Sequence, residues 1–286
     1  KTDGKNLCKI IEEYSYEYSL TYKKKIKKII NDLPNSYEKQ LIYAKKNEDI
    51  ITKELTKIIK IFLKKIRFDK KKIDLIGFSG QTILHNPKKN YSLQLGSGKG
   101  LYKNLRIPII SNFRDKDIKM GGEGAPIGCY YHKFLINKIC KKSAIVNIGG
   151  VANITLIYKK SLIGFDLGPG NSLIDDLTHY HYKKKFDDRG IYAKKGLVVK
   201  KVYQNFKKDI FFKQMYPKSI DRNHFKIFLK YLKRYEANDS IHTASLMTVH
   251  SIIKGLEMFN LKINKLILTG GGRKNNFIIS KLKQKL

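Results

Sequence analysis

The sequence lacks long apolar runs and has few cysteines, and each shortage excludes a class of protein. Cys8, Cys129 and Cys140 are the only cysteines among 286 residues, and such widely spaced cysteines fit neither a disulfide framework nor a zinc site. No run of 18 or more apolar residues occurs, so no membrane-spanning helix and no membrane partner are expected. The polar start, residues 1–6, resembles no signal peptide. We therefore expect a protein of the reducing cytoplasm.

Acidic residues are also scarce. Asp and Glu number 24 against 59 Lys and Arg, which gives a formal net charge of +35. Such a charge is typical of nucleic-acid-binding proteins. However, nearly all the basic residues are Lys, and they occur in almost every segment instead of forming one stripe. Abundant Lys, Ile, Asn and Tyr are typical of an A+T-rich genome. We therefore expect loose, salt-sensitive binding to polyanions but no specific nucleic-acid partner.

The spacing of apolar residues predicts a mixture of helices and short strands. Apolar residues at three- and four-residue spacing predict helices over Tyr37–Lys65 and Ile191–Phe206. Shorter apolar runs at 72–79 and 143–157 predict strands, the second of them a β-hairpin with a Gly-Gly tip. The length allows two domains, each with its own core.

The stretch Gly164–Asn171 combines a carboxylate with a tight turn. A short apolar run leads to Asp166, and a Gly-Pro-Gly turn follows that no helix or central strand would tolerate. Asn171 or Ser172 can cap a helix that begins at Leu173. The pattern predicts a strand with Asp166 at its end, then a turn whose free amides bind an anion, then a helix. An equally weighted alternative is a turn in which Asp166 only fixes the backbone.

Two further glycine turns also follow strands. At the tip of the 143–157 hairpin, backbone amides could bind phosphate because no Cβ blocks its approach. Near the C-terminal end, a strand at 265–269 leads to Gly270–Gly272 and then to a helix, an arrangement that favours anions. No Walker motif follows these glycines, and the Gly-x-Gly-x-x-Gly dinucleotide motif is absent.

Two polar segments in the first half are candidate ligand loops. Gln81, Thr82 and His85 offer hydrogen-bonding groups near one loop after the strand at 72–79, although a histidine in such a place is more often structural. The segment Arg114–Pro126 holds cations and acids before a flexible glycine run, which suits a polar, partly anionic ligand. An exposed salt-bridged loop is the alternative.

Three glycine turns and one carboxylate together predict an α/β protein that binds a phosphorylated ligand. Phosphoryl transfer is the most natural chemistry for such a site, because positioning and charge neutralisation dominate that reaction. Asp166 would then be the general base that acts on the attacking oxygen.

Seven blocks of sequence, from about residue 74 to the end, resemble the anhydro-N-acetylmuramic acid kinase family in their order and spacing. Seven such blocks in order are not expected by chance. They are Ser79-Gly-Gln-Thr with His85 and Pro87, Phe113-Arg-Asp-Lys-Asp-Ile, Gly121-Gly-Glu-Gly-Ala-Pro, Asn147-Ile-Gly-Gly-Val-Ala-Asn-Ile-Thr, Phe165-Asp-Leu-Gly-Pro-Gly-Asn, Pro217-Lys-Ser with Arg222, and Gly270-Gly-Gly-Arg-Lys-Asn.

This resemblance implies the two-domain, ribonuclease-H-like α/β fold of the sugar kinase, Hsp70 and actin superfamily, with a central cleft. We expect an N-terminal domain at 1–142 and a C-terminal domain at 143–286. The implied reaction uses ATP and water to convert 1,6-anhydro-N-acetylmuramic acid into N-acetylmuramic acid 6-phosphate during cell-wall recycling. The expected partner is the small-molecule sugar, with a homodimer as an open alternative.

The resemblance also implies roles for particular residues. Asp166 is the implied catalytic base that activates the water. Mg²⁺ would accompany ATP, held mostly by phosphates and waters, with no metal ligand from the protein. The implied cofactor-binding residues are Asn147, Gly149, Gly150, Asn153, Gly168, Gly170, Asn171, Gly270, Gly271, Gly272 and Asn275. The implied substrate-binding residues are Gln81, Thr82, His85, Arg114, Asp117, Gly122, Glu123 and Pro126.

The sequence departs from the family pattern at several points. The family's opening Gly-Thr-Ser-x-Asp-Gly-x-Asp phosphate loop and its final acidic, aromatic segment are not found, so we expect a core fragment truncated at both ends. Leu167 replaces a usual Thr, Tyr216 a usual Pro, and Arg273 a small residue. Two alternatives stay open: a degenerate, non-catalytic relative that still binds nucleotide or sugar, and a basic nucleic-acid-binding protein.

Overall fold

A computed structural model describes residues 1–4, 7–139, 142–220, 224–259 and 263–286, with the side chain of Lys88 left out. Cys140 and Arg222 therefore lie outside the described residues. The chain forms two compact units, Lys1–Gly124 and Ala125–Leu286. Helices and strands occur in both units, which confirms the predicted α/β class. The domain boundary predicted between residues 142 and 143 stays a prediction.

Two long helices open the first unit. Helix α1 spans Leu20–Asn31, and helix α2 spans Tyr37–Lys65, as its apolar spacing predicts. Helix α2 buries Ala44 and Ile51 in the core of this unit, while most of its lysines are exposed. The buried stripe supplies the hydrophobic contact that the unit's short strands need for stability.

The described part of the first unit also has two small sheets and two short helices. The bounds are β1 Ile76–Phe78, β2 Gln81–Asn86, β3 Tyr91–Leu95, α3 Gly98–Leu105, β4 Ile109–Ser111 and α4 Asp115–Lys119. Strands β1 and β4 pair in parallel, and β2 and β3 form an antiparallel hairpin. Because β1 covers only three residues, the strand predicted at 72–79 is shorter than expected.

A four-stranded sheet forms the centre of the second unit. Its strands lie in the order β7-β6-β5-β8, where β5 is Ser143–Ile148, β6 is Val151–Tyr158, β7 is Ser161–Pro169 and β8 is Lys265–Thr269. Strands β5 and β6 form the predicted hairpin, and β8 pairs in parallel with β5. All three glycine turns of the sequence therefore lie at one end of this sheet.

The described part of the second unit has seven helices. Their bounds are α5 Cys129–Ile139, α6 Ser172–Tyr182, α7 Ile191–Lys195, α8 Lys200–Lys207, α9 Lys226–Leu232, α10 Ala237–Glu257 and α11 Asn276–Lys285. Helices α5 and α10 contact strands of the sheet, and α10, the longest of the seven, places Met247 and Ile252 in the core.

The single helix predicted over 191–206 is wrong, because the chain breaks between α7 and α8. At the break, a Cβ on Gly196 would overlap the carbonyl oxygen of Asn238 on α10. The Val199 amide donates to Thr243 Oγ1 at 2.9 Å, also on α10. A tertiary contact with α10 thus overrides the local helical pattern.

Candidate active site

The hairpin tip and the turn before α6 are joined by backbone hydrogen bonds. The amides of Gly170 and Ser172 donate to Gly150 O at 3.0 and 3.2 Å, and the Asn171 amide donates to Gly149 O at 2.7 Å. The prediction that the amides of this turn are free for an anion is therefore wrong, since the hairpin already accepts from them. A Cβ on Gly170 would overlap Gly149 O, so only glycine fits this close approach.

The third glycine turn lies against the same hairpin. A Cβ on Gly270 would lie 2.5 Å from Asn147 Oδ1, and one on Gly272 would overlap the side chain of Ile148. Asn171 joins the turns, because its Nδ2 donates to Ile148 O at 3.1 Å. The parallel pairing of β8 with β5 produces this contact, and it brings all three predicted glycine turns together.

The outer face of the hairpin tip is the part of this cluster that is open. Within the described residues, the amides of Gly149 and Gly150 donate no hydrogen bond to the protein. A Cβ on Gly150 would meet no atom within 4 Å. An anion can therefore approach the backbone at this tip.

Asp166 lies within strand β7 and not at its end, contrary to the prediction. Asp166 pairs with Asn153 and Gly168 pairs with Ala152, so Leu167 is an extra residue in a β-bulge. Among the described strands β7 is at the edge of the sheet, which explains how it accommodates Gly168 and a proline. A bulge of this kind bends its strand, and here it lies directly after the carboxylate.

The carboxylate of Asp166 is buried, with 7% of the residue exposed. Its Oδ2 accepts a hydrogen bond from the Ile220 amide at 3.0 Å. The Asp166 amide donates to Lys218 O at 2.9 Å. A loop that is distant in sequence therefore fixes Asp166 through its backbone and through its side chain.

Helix α10 supports the turn from beneath. Thr248 Oγ1 donates to Gly170 O at 2.7 Å. A Cβ on Gly168 would lie 2.6 Å from Ser251 Oγ, so this glycine, with φ at 141°, packs directly on the helix. These two hydroxyl residues were not predicted, because hydroxyl side chains spaced along a helix give no signal of the turn they contact.

Asn275 has a structural role in addition to the predicted one. Its Oδ1 accepts from the amides of Phe277 and Ile278, both at 3.1 Å, and thereby caps α11. The residue is 6% exposed, and a Cβ on Gly190 would overlap its oxygen. Of its side-chain polar atoms, only Nδ2 therefore remains for a ligand. The predicted cofactor contact stays a prediction.

In the first unit, the predicted residues Gln81, Thr82 and His85 lie on strand β2 and not in a loop, which corrects the expectation. His85 Nδ1 hydrogen-bonds with Ser92 Oγ at 3.0 Å across the hairpin. Gln81 is exposed. The hairpin register places Gln81 opposite Leu95, whereas His85 lies opposite Ser92, so the two residues occupy different ends of β2.

The segment Arg114–Pro126 is organised around Asp117. Asp117 Oδ2 accepts from the Gly124 amide at 2.7 Å, and a Cβ on Gly122 would overlap the same carboxylate. The glycine run therefore closes on the first turn of α4 and is not an open flexible loop. Arg114 precedes α4, and Glu123 lies in the closed run. Pro126 belongs to the second unit, where it packs on Gly164 of β7.

The family model described as anhydro-N-acetylmuramic acid kinase matches residues 7–286. The chain belongs to the anhydro-N-acetylmuramic acid kinase family. Membership also assigns it the sugar kinase and actin-like fold class.

Curated relatives named anhydro-N-acetylmuramic acid kinase agree with this assignment. The chain is 33% identical to one from Zymomonas mobilis over all of its own length and 80% of that protein. It is 32% identical to one from Pelagibacter ubique over all of its length and 78% of that protein. One from Legionella pneumophila strain Corby is 34% identical over 83% of this chain and 66% of that protein. The chain therefore spans about two thirds to four fifths of these relatives.

The environment of Lys218 was not predicted from the sequence. This residue belongs to the Pro217-Lys-Ser block of the family, yet it is only 5% exposed, and burial lowers the pKa of its ammonium. The one sequence feature that distinguishes Lys218 from the other lysines is its place in a block shared with the family, with no charged residue directly beside it.

The described residues contain no group of three or more His, Cys, Asp and Glu side chains that could hold a metal ion. Of the helices in the described part, none combines the length and apolar content that crossing a bilayer needs. The first unit has a cavity of about 580 Å³, lined by residues that include Ser92, Gln94 and Asp115. Within the described chain, none of the predicted substrate-binding residues lines this cavity.

Proposed function

We propose that the chain catalyses the ATP-dependent conversion of 1,6-anhydro-N-acetylmuramic acid and water into N-acetylmuramic acid 6-phosphate. The observation that carries the proposal is the cluster of three glycine turns beside a buried carboxylate, in a chain that belongs to this kinase family. A phosphotransferase needs a rigid phosphate site and one activating group. The packed glycine turns and the buried Asp166 support the assignment of these two roles to the second unit.

The hairpin tip is the proposed phosphate-binding element. The amides of Gly149 and Gly150 donate to no protein acceptor in the described chain, Gly150 is exposed, and no Cβ fills the space beside them. Such amides suit phosphate oxygens of ATP. The Gly270–Gly272 turn, which packs on the hairpin, is the proposed adenosine side. Asn147, Asn153, Gly168, Gly170, Asn171 and Asn275 complete the proposed cofactor site as contacts or as supports.

Asp166 is the proposed general base. It takes a proton from the water, whose oxygen bonds to the anomeric carbon of the sugar. The bond between that carbon and O6 breaks, O6 accepts the γ-phosphoryl group of ATP, and ADP leaves. The hydrogen bond from Ile220 to Oδ2 fixes the carboxylate, so little reorganisation is needed when it acts.

The sugar contacts are proposed at Gln81, Thr82, His85, Arg114, Asp117, Gly122, Glu123 and Pro126. Their chemistry supports this assignment, because hydroxyl, amide and cationic groups recognise the hydroxyls and the lactyl carboxylate of such a sugar. Asp117 acts by closing the glycine run through its bond to Gly124, which fixes the segment that Arg114 begins.

Mg²⁺ is proposed to arrive with ATP. The described residues offer no cluster of three ligating side chains, whereas Mg²⁺ readily keeps phosphate and water ligands. The bound ion would neutralise phosphate charge. We also propose a cytoplasmic location, where ATP is available, with a homodimer as an untested arrangement.

The test uses the natural full-length protein, incubated with ATP, Mg²⁺ and 1,6-anhydro-N-acetylmuramic acid. Mass spectrometry should detect a product that has gained one phosphate and one water, and this product should depend on the sugar. A folded protein that binds ATP and forms no such product would instead be the degenerate, non-catalytic relative. A phosphorylated sugar that retains the anhydro ring would contradict the role of water.

A further inference from the structure

The loop that follows α8 and the 3-10 turn Ile210–Lys213 holds Asp166 by two hydrogen bonds. The Asp166 amide donates to Lys218 O, and the Ile220 amide donates to Asp166 Oδ2. Both bonds come from a stretch of three residues. The direction in which the carboxylate points therefore depends on where this stretch lies.

The side chain of Lys218 fixes the same stretch from its other side. Its Nζ donates to Phe211 O at 3.0 Å, within the 3-10 turn, and to Gln214 O at 3.1 Å, directly after it. The ammonium also lies 4.3 Å from the centroid of the Phe211 ring and 6.0 Å from that of Phe165, which precedes Asp166. One ammonium thus connects the turn, the loop and the strand that carries Asp166.

Burial of this kind is energetically unfavourable for the charged ammonium of a lysine. Only 5% of Lys218 is exposed, and the ion pairs of the described residues do not include it. Lysine is almost never so buried without a charged partner, and burial lowers the pKa of its ammonium. An apolar side chain of similar length would avoid the desolvation of a charge, which indicates that the hydrogen bonds of the ammonium serve a geometric purpose.

We propose that Lys218 is a positioning residue for Asp166, whose ammonium fixes the Lys218–Ile220 stretch so that this stretch holds the carboxylate in its catalytic orientation. The final step rests on the proposed function. The connection from the ammonium to the carboxylate is independent of it.

The first test compares three variants by steady-state kinetics. Lys218→Met keeps the length and removes the hydrogen bonds, and it should lower kcat about 10- to 100-fold while KM for ATP and for sugar changes less than about twofold. Lys218→Arg should recover part of the loss. Lys213→Met is the matched control, because Lys213 is exposed in the same segment, and it should leave kcat unchanged.

A double variant separates positioning from direct contact with a reactant. In an Asp166→Asn background, Lys218→Met should cause no further loss of the residual turnover, because both changes act on one group. A further tenfold loss would overturn the proposal, since Lys218 would then act independently of Asp166. An unchanged kcat in Lys218→Met alone would overturn it as well.

Amide hydrogen exchange tests the structural step without any turnover. In Lys218→Met, the amides of Asp166 and Ile220 should exchange about tenfold faster or more, whereas those of β5 and β6 and those of Lys213→Met should keep their rates. Unchanged exchange at Ile220 would overturn the positioning role. Absence of kinase activity in the wild-type protein would overturn the proposed function instead, so the two failures are distinguishable.

Discussion

The predicted site residues of the two units differ in how they are held. In the second unit, the three glycine turns are distant in sequence and contact one another through backbone hydrogen bonds and approaches that admit no Cβ. In the first unit, the predicted residues bond mainly to near neighbours, as His85 does to Ser92 and Asp117 to Gly124. The core of the sheet thus fixes the proposed phosphate site, while local turns fix the proposed sugar segments.

This difference fits the proposed assignment of phosphoryl transfer to the second unit and of sugar recognition to the first. Phosphoryl transfer depends on sub-ångström positioning, which a turn packed on a sheet and on α10 provides. Locally closed loops tolerate sequence change and adapt to a polar ligand more readily. Substitutions in the second unit should therefore affect chemistry and stability together, whereas those in the first should affect sugar recognition with a smaller loss of stability.

The largest expected effect is that of Asp166→Asn. The amide keeps the size of the carboxylate and can still accept from the Ile220 amide, but it cannot take a proton from water. We expect kcat to fall about 10³-fold, in line with general-base contributions, while calorimetry shows ATP binding nearly unchanged. Asp176→Asn on α6 is the control and should retain activity. Near-normal turnover of Asp166→Asn would exclude Asp166 as the base.

The next largest effect is expected at the contact between hairpin and turn. Gly170→Ala places a Cβ against Gly149 O, so the free energy of unfolding should fall by about 3 kcal/mol, the upper part of the range for overpacking. Urea denaturation measures this loss, and ATP affinity should fall with it.

Gly150→Ala is the matched control for that substitution, because its Cβ would enter open space. Its stability should change by less than about 0.5 kcal/mol, while its ATP affinity falls if phosphate lies against the tip. Equal stability losses in the two variants would show that the hairpin and the turn are not coupled as the structure describes.

The sequence predicted those elements that depend on local pattern. Helix α2, the β5–β6 hairpin and β8 follow from apolar periodicity and glycine position. The break between α7 and α8 was not predictable, because it depends on the contact of Gly196 with Asn238 on another helix. The glycine pattern predicted the three turns that the structure brings together. It could not show that hydrogen bonds within the cluster already use the amides before α6, because these depend on strand register.

The position of Asp166 illustrates the same limit. A Gly-Pro-Gly sequence predicts the end of a strand, yet β7 continues through Gly168 because it is an edge strand with a bulge at Leu167. Whether a strand is central or at the edge depends on the order of the whole sheet. The burial of Lys218 was equally hidden, because no local pattern distinguishes a buried lysine in a chain so rich in exposed ones.

A third, smaller effect concerns how the free energy of unfolding depends on pH through His250 on α10. The pKa of His250 on α10 is lowered to about 4, mainly by burial and to a smaller extent by the charges of Lys254 and Lys207, while Glu257 acts in the opposite direction. Its ring contacts Tyr203 and Phe212. The pKa in the unfolded chain is about 6.5, so the unfolded state binds the proton more tightly. The stabilisation is therefore complete above pH 6.5 and is lost as the pH falls towards 4.

His250→Leu should remove part of this pH dependence. Between pH 7 and pH 5, the free energy of unfolding of the wild-type protein should fall by about 2 kcal/mol because of His250. In the variant the fall should be smaller by this amount, as measured by urea denaturation at the two pH values. Burial also lowers the pKa values of His132, His181 and His242 in the same unit, so some slope should remain. His179→Leu, an exposed change on α6, should keep the wild-type slope.

The smallest effect on stability is expected at Asp117 in the first unit. Asp117→Ala removes the acceptor of the Gly124 amide, and because this group lies at a partly exposed loop, the loss of unfolding free energy should be about 1 kcal/mol. The glycine run that Asp117 closes should then loosen, so KM for the sugar should rise several-fold while KM for ATP stays constant. Asp115→Ala, two residues earlier on the same short helix, controls for the loss of a charge. Asp117→Ala could instead raise KM for ATP and lower stability as much as Gly170→Ala does. Recognition and chemistry would then not be divided between the two units, because a local loop of the first unit would affect the phosphate site as strongly as the turns of the second do.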